Sequence, residues 1–262
     1  MAVETMNLSK EEIRAKLVAG ERLPLAYLDL GHLELAGLDF SGQDLTETCF
    51  WECDLTSATF YNAMMAEADL RGANLRQAEL VGATLSRAQF LRANLEQANL
   101  VGARLDHANL EETNLAGADL EGAYMTGADA RHANLRGARL VHANLTRVQL
   151  QHADLRDADL RYARLEKVNA RHANLAGAKM MGTDLSDANF AGANLSGVNL
   201  LDASTYRTNF EGADLSGALL ANCDLHGARL DKANLKGATY DKLTKWPEDF
   251  DPAAHGAVEI GA

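Results

Sequence analysis

Every fifth residue from Leu30 to Tyr240 lies on one unbroken lattice of 43 positions, 30 of them Leu, with Phe, Met, Tyr, Thr and Ala at the rest. The residue two places before each centre is usually small, most often Ala. The residue one place before is usually Asp or Asn, as in Ala73-Asn74-Leu75, Ala93-Asn94-Leu95 and Ala193-Asn194-Leu195. A helix needs apolar residues at a period of about 3.6, and a strand at about 2. A strict five serves neither. On an α-helix each step of five advances about 140° net, which spreads the Leu series around the whole circumference. The Asn, Asp and Gly density favours turns, because short polar side chains bond nearby backbone. One unit repeated without insertion specifies a single solenoid.

The pattern Ala-(Asp/Asn)-Leu-X-X resembles that of the pentapeptide-repeat proteins, over roughly residues 26–242. The resemblance implies an all-β fold, a right-handed quadrilateral β-helix in which each pentapeptide forms one side and four make a coil. The centre and the small residue two places earlier then point inward. Residues 1–25 are expected to form a helical cap, 26–242 the repeat β-helix, and 243–262 a C-terminal cap with a frayed tail. Ser9 reads as an N-cap, with Glu12 completing a capping box and Leu8 stapled to Ile13. Ile13 and Leu17 share a face, Gly20 is a stop, and Pro24 ends any continuation. Trp246 and Phe250 are expected to cover the last coil. This aromatic and proline ending resembles the tail of many bacterial family members.

Residues 20 apart should therefore stack, about 4.8 Å from coil to coil. The column before the all-Leu wall Leu35 to Leu235 is almost purely Asn and Asp, which reads as turn fixation with side-chain stacking. Another wall carries Ala130 and Ala170 as centres, short of volume on either side of Leu150. Cys53 and Cys223 occupy the slot Ala takes elsewhere and read as core filler. Two outward columns are candidates for function. One runs Arg92, Glu112, His132, His152, His172, beside Arg131, Gln151 and Arg171. It is an anion-binding or pH-sensitive patch, or a solvated repeat surface; a flat ladder makes a poor tetrahedral zinc site. His142 lies on the opposite side. The other column follows Tyr61, Val81, Val101, Val141, Met181 and Leu201, interrupted by Glu121 and Arg161. A contiguous apolar stripe is a candidate interface with a partner or a second copy; the alternative is ordinary surface β-propensity.

A net charge of -12 disfavours direct contact with nucleic acid or anionic membrane. No apolar run of 18 residues is present, and Met1 to Leu8 has neither a basic start nor an apolar signal core. Three cysteines make no disulfide framework, and a reducing cytoplasm is the expected location. No catalytic constellation, phosphate-binding glycine loop, cofactor motif or spaced metal cluster emerges. The expected function is a noncatalytic, rod-like protein-interaction scaffold of unknown partner. The resemblance implies an alternative: some members mimic DNA, bind DNA gyrase or topoisomerase IV, and confer resistance to topoisomerase poisons.

Overall fold

The structure is a computed structural model, and it describes residues 9–261. From Asp29 onward the chain winds as a β-helix solenoid. Parallel bridges join residues 20 apart, from Asp29 with Cys49 to Leu219 with Thr239, so four pentapeptides complete one coil. Asn74, Asn94, Asn114 and Asn134 form one such ladder.

One pentapeptide explains why these residue types recur. In residues 93–97, the Leu95 N–H reaches up to Asn114 O (2.7 Å) and the Gln97 N–H to Ala116 O (3.0 Å). The Asn94 N–H reaches down to Ala73 O (2.9 Å), and the Ala93 N–H closes a turn on Phe90 O (2.8 Å). The fifth donor, Glu96 N–H, is taken by the Asn94 side chain at 3.1 Å. All five donors are thus satisfied, the last only because Asp or Asn precedes the centre. The residue two after each centre from Leu30 to Leu235 sits at positive φ, 58° at Gln97 and 64° at Gly102, as a type II turn demands. In the Asn ladder the side-chain amides also bond vertically: Asn114 Nδ2 donates to Asn94 Oδ1 (3.1 Å) and Asn134 Nδ2 to Asn114 Oδ1 (2.9 Å).

Every centre from Leu30 to Leu225 is buried in one continuous axial core, as is the residue two places before it except Leu28 and Leu38 of the first coil, which are half-buried. Phe40 stacks on Phe60 (5.0 Å between centroids, 8° between planes), and Phe190 lies 5.8 Å from Phe210. Ala130 and Ala170 are fully buried on either side of Leu150. The small slot accepts a donor when that donor returns to the coil below: Thr113 Oγ1 donates to Phe90 O (2.8 Å) and Cys53 Sγ to Leu30 O (2.9 Å). Burial pushes the Cys53 thiol up to about 11 and the Cys223 thiol up to about 12, so both behave as small core residues.

The ends differ in how they are closed. Helix α1 (Lys10–Val18) starts at Ser9 with a capping box to Glu12. It stops in a Schellman geometry, with the Gly20 N–H on Leu17 O and the Glu21 N–H on Lys16 O. Ile13 and Leu17 face the core; the staple residue Leu8 lies outside the described residues. The first coil has no coil beneath it, so its outward carbonyls lack donors. Lys10 Nζ, Arg14 Nε and Arg22 Nη1 supply them, reaching Gly31 O (2.9 Å), Glu34 O (2.7 Å) and Ser41 O (2.7 Å). Three cations thus blunt an edge that would otherwise invite another strand.

At the other end the expected fraying is not what the structure shows. Strand β1 (Thr239–Tyr240) pairs in parallel with β2 (Val258–Glu259). A 3-10 turn at Ala253–His255 brings the chain back. Trp246 packs edge-on to Tyr240 and stacks with Phe250, which stacks with His255 (4.5 Å). The tail is held because the last coil still offers unpaired backbone groups, and a returning segment satisfies them.

Candidate interaction surfaces

Functional side chains in this fold are set by two turn positions on each wall: the residue after a centre and the residue after that, at positive φ. Both face outward, and each is stacked 20 residues from its like.

The apolar column is less open than the sequence suggests. Tyr61 is exposed (43%), but Val81, Val101, Met181 and Leu201 are half-buried, and Val141, expected to point outward, is buried (8%). Charge crosses the column twice: Arg139 pairs with Glu121 and Asp119, and Arg161 with Asp159 (2.7 Å). Among the candidate residues, the longest run of successive open or half-open levels is Tyr61, Val81 and Val101; Met181 and Leu201 make a shorter one.

The histidine column is a true stack. His132 and His152 lie 5.1 Å apart with planes 6° from parallel, and His152 and His172 lie 5.3 Å apart at 17°. Below them Glu112 pairs with Arg92 (2.7 Å). Above them Gly192 lies against the His172 ring: a Cβ there would come within 2.6 Å of Nδ1. Arg131 is drawn to Asp129 (2.7 Å) and Glu111 (3.3 Å), so it is not free to serve the stack. Arg171 makes no ion pair among the described residues. His142 stacks instead on Tyr162, on another column. Parallel rings do not converge on one point, and no group of three or more His, Cys, Asp or Glu among the described residues is placed to hold a metal ion.

Sequence reasoning by single columns missed how cations collect around the rod. Residues 131–172 carry nine Lys or Arg against four Asp or Glu, a net of +5; the rest of the chain, with 16 against 33, is -17. A charge sum over windows two coils long would have found this belt. Within it Arg147 and Lys167 stand one coil apart on the corner next to the wall of Arg171, and neither makes an ion pair among the described residues.

Most other arginines of the belt are paired with their own wall. Arg156 bonds Asp154, and Arg161 bonds Asp159 (2.8 Å from Nε). These guanidinium bonds hold both carboxyls below the ordinary carboxylate range, against the opposing effect of partial burial. A carboxyl lowered in the folded state contributes stability above its unfolded value of about 3.9, and loses it as pH falls through the folded value. Arg156→Gln with Arg161→Gln is therefore expected to be less stable than the parent at pH 6. Urea melts should show the gap narrowing as pH falls below the unfolded value of about 3.9 and closing once both carboxyls are protonated in the folded state. A gap of equal size throughout would mean the arginines act by packing alone.

Comparison with known proteins agrees with the repeat. The profile of pentapeptide repeats matches residues 27–62, 53–90, 63–102, 88–127, 123–161, 163–202 and 206–239. HetL, a pentapeptide-repeat protein involved in heterocyst differentiation regulation from the cyanobacterium Nostoc sp. strain PCC 7120, is 32% identical. The alignment covers 88% of this chain and 97% of that one, with a TM-score of 0.43. Full-length QnrB1, a plasmid-mediated fluoroquinolone resistance protein, is 23% identical over 81% of this chain and 94% of its own, with a TM-score of 0.42. Rfr23 from the cyanobacterium Cyanothece 51142 is 28% identical over 45% and 90% respectively, with a TM-score of 0.33. No curated protein matches the sequence. Among the described residues no helix is long and apolar enough to cross a membrane.

Proposed function

This chain belongs to the pentapeptide-repeat family, and from that premise we propose that it is a noncatalytic, rod-like protein-interaction scaffold, bacterial and cytoplasmic, with no cofactor. The observation that carries the reading is that each centre from Leu30 to Leu225 is spent on the core and the coil-to-coil backbone bonds on the shaft, which leaves only surface columns free to vary. Catalysis favours a concave, water-poor site, and flat ladders favour a broad macromolecular contact. We take the coil as a right-handed quadrilateral; four bridge ladders per coil support four sides. We divide the chain into a helical cap at 1–25, a shaft at 26–242 and a closing segment at 243–262.

The stripe at Tyr61, Val81 and Val101 is the proposed contact for a protein partner or a second copy of the chain. Val81→Asp with Val101→Asp is expected to abolish that association. The readouts are the sedimentation coefficient for self-assembly and chemical cross-linking for a partner. An unchanged profile in both removes the stripe from the reading. The histidine column His132, His152 and His172, with Arg171 beside it, is the proposed anion-responsive patch; Arg92 and Arg131 border it, each already paired with an acid.

A second reading rests on the acidic surface outside the belt: a DNA-mimicking protein that binds DNA gyrase or topoisomerase IV and confers resistance to topoisomerase poisons. An acidic rod can compete for a groove built to hold DNA. Supercoiling by purified gyrase, with and without a quinolone, tests it. Protection by the protein at micromolar concentration or below supports the reading; no effect on either enzyme ends it.

A further inference from the structure

We propose that the face formed by Arg147, Gln151, Lys167, Asn169 and Arg171 docks a short acidic polypeptide segment, which gives the scaffold reading a partner chemistry and rests on it. The face spans two successive coils. Residues 147–152 and 167–172 contain no acid, and Arg147, Lys167 and Arg171 are exposed without ion pairs among the described residues. The acids at its border are already taken: Asp129 by Arg131, Asp154 by Arg156, Glu166 by Arg164 and Asp187 by Arg207. Three cations therefore stand unneutralised on a protein whose remaining surface is acidic.

The polar groups between them say what kind of anion fits. Elsewhere on this wall Asn109, Asn189 and Asn209 accept the N–H two residues on, from Glu111, Ala191 and Glu211. Asn169 does not: its Oδ1 is shielded with no donor, and so is Gln151 Oε1. The Arg171 and Gln151 N–H groups have no acceptor among the described residues. Turning either amide over solves nothing, because Gln151 Nε2 (3.1 Å) and Asn169 Nδ2 (3.3 Å) both donate to Gln149 Oε1. A flipped amide would set oxygen against oxygen. The face thus lacks donors as well as acceptors, and shielded groups left unpaired are costly.

A phosphate chain offers essentially acceptors alone. A polypeptide offers both: carboxylates for the two free N–H groups and the three cations, and backbone N–H groups for the two amide oxygens once those side chains turn outward to meet it. Height argues the same way. Along this wall and its corner the next levels carry paired charges, Asp129 with Arg131 below and Asp187 with Arg207 above, so the unneutralised cations end within one coil in each direction. A short acidic segment matches that length.

The test uses the full chain and fluorescence anisotropy at low salt and neutral pH. The probe is a fluorescein-labelled peptide of eight residues alternating Glu and Gly. A Gln–Gly peptide, inorganic tripolyphosphate and a short DNA duplex serve as competitors. Saturable binding of the Glu–Gly peptide is expected for the parent and for Lys236→Glu, whose substitution lies on a different wall in the last coil. Lys167→Glu with Arg171→Glu should weaken it by at least about tenfold, since like charges then face each other. The thermal melt of that variant should stay cooperative, because both side chains are exposed. Lack of saturable binding overturns the assignment, as does equal binding to the double variant. Stronger competition by tripolyphosphate or duplex than by unlabelled Glu–Gly peptide also overturns it, in favour of a phosphate site. Any of these leaves the scaffold reading to its own test at the stripe.

Discussion

Leu150→Ala is expected to cost about 4–5 kcal/mol, near the top of the range for a buried Leu-to-Ala change. The reason lies one coil away in each direction. Leu150 is fully buried, and the centres stacked below and above it are Ala130 and Ala170. Truncation leaves three alanines in succession on one wall, and the lost volume merges into a single void. Each coil is held to its neighbours by hydrogen bonds of 2.6–3.2 Å along this wall, so the backbone has little freedom to close the gap. Leu115 is the control. It stands between Leu95 and Leu135 on the all-Leu wall, whose longer side chains can lean into a vacancy, and Leu115→Ala should cost about 3 kcal/mol. Urea denaturation of both variants measures the difference. If Leu150→Ala is the milder of the two, the wall has already narrowed around its alanines and the merged void does not form. Hydrogen exchange should also show the coils on either side of residue 150 opening before the rest, since a solenoid is coupled mainly through nearest neighbours.

Gly192→Val is expected to cost about 3 kcal/mol, against about 2 kcal/mol for Gly102→Val, because strain at positive φ is shared while the clash is not. Gly192 and Gly102 sit at φ 66° and 64°, a region that a β-branched residue rarely enters. A Cβ at Gly102 meets nothing within 4 Å, whereas one at Gly192 comes within 2.8 Å of both Nδ1 and Cε1 of His172. The imidazole must swing away, and the stack with His152 goes with it. Chemical denaturation gives the energies, and the ring-proton shifts of His152 and His172 report the stack. Equal costs with unchanged shifts would show that the ring moves aside without penalty and that the column is a loose surface array. The comparison also bears on why positive φ is tolerated by so many other side chains here. His152, Gln97 and Asp202 hold φ of 58–61°, and the coil's hydrogen bonds stabilise that conformation at every level.

The sequence alone determined the period, the inward and outward assignments, the stacking of residues 20 apart, the capping box at Ser9 and the role of Asp or Asn before each centre. These follow from a local rule repeated along the chain: one pentapeptide that consumes its own donors leaves the next with the same choice, so register propagates without long-range information. Where that rule ends, the tertiary structure decided. Arg131 turned to Asp129 and away from the histidines, Val141 sank beneath its neighbours, and Arg147 and Lys167 were left unpaired at a corner. Lys10, Arg14 and Arg22 found the bare carbonyls of the first coil, and Val258 returned to pair with Thr239. Each of these outcomes depends on which groups are brought alongside by winding, on rotamers that the five-residue pattern does not constrain, and on edges that exist only once the shaft is built.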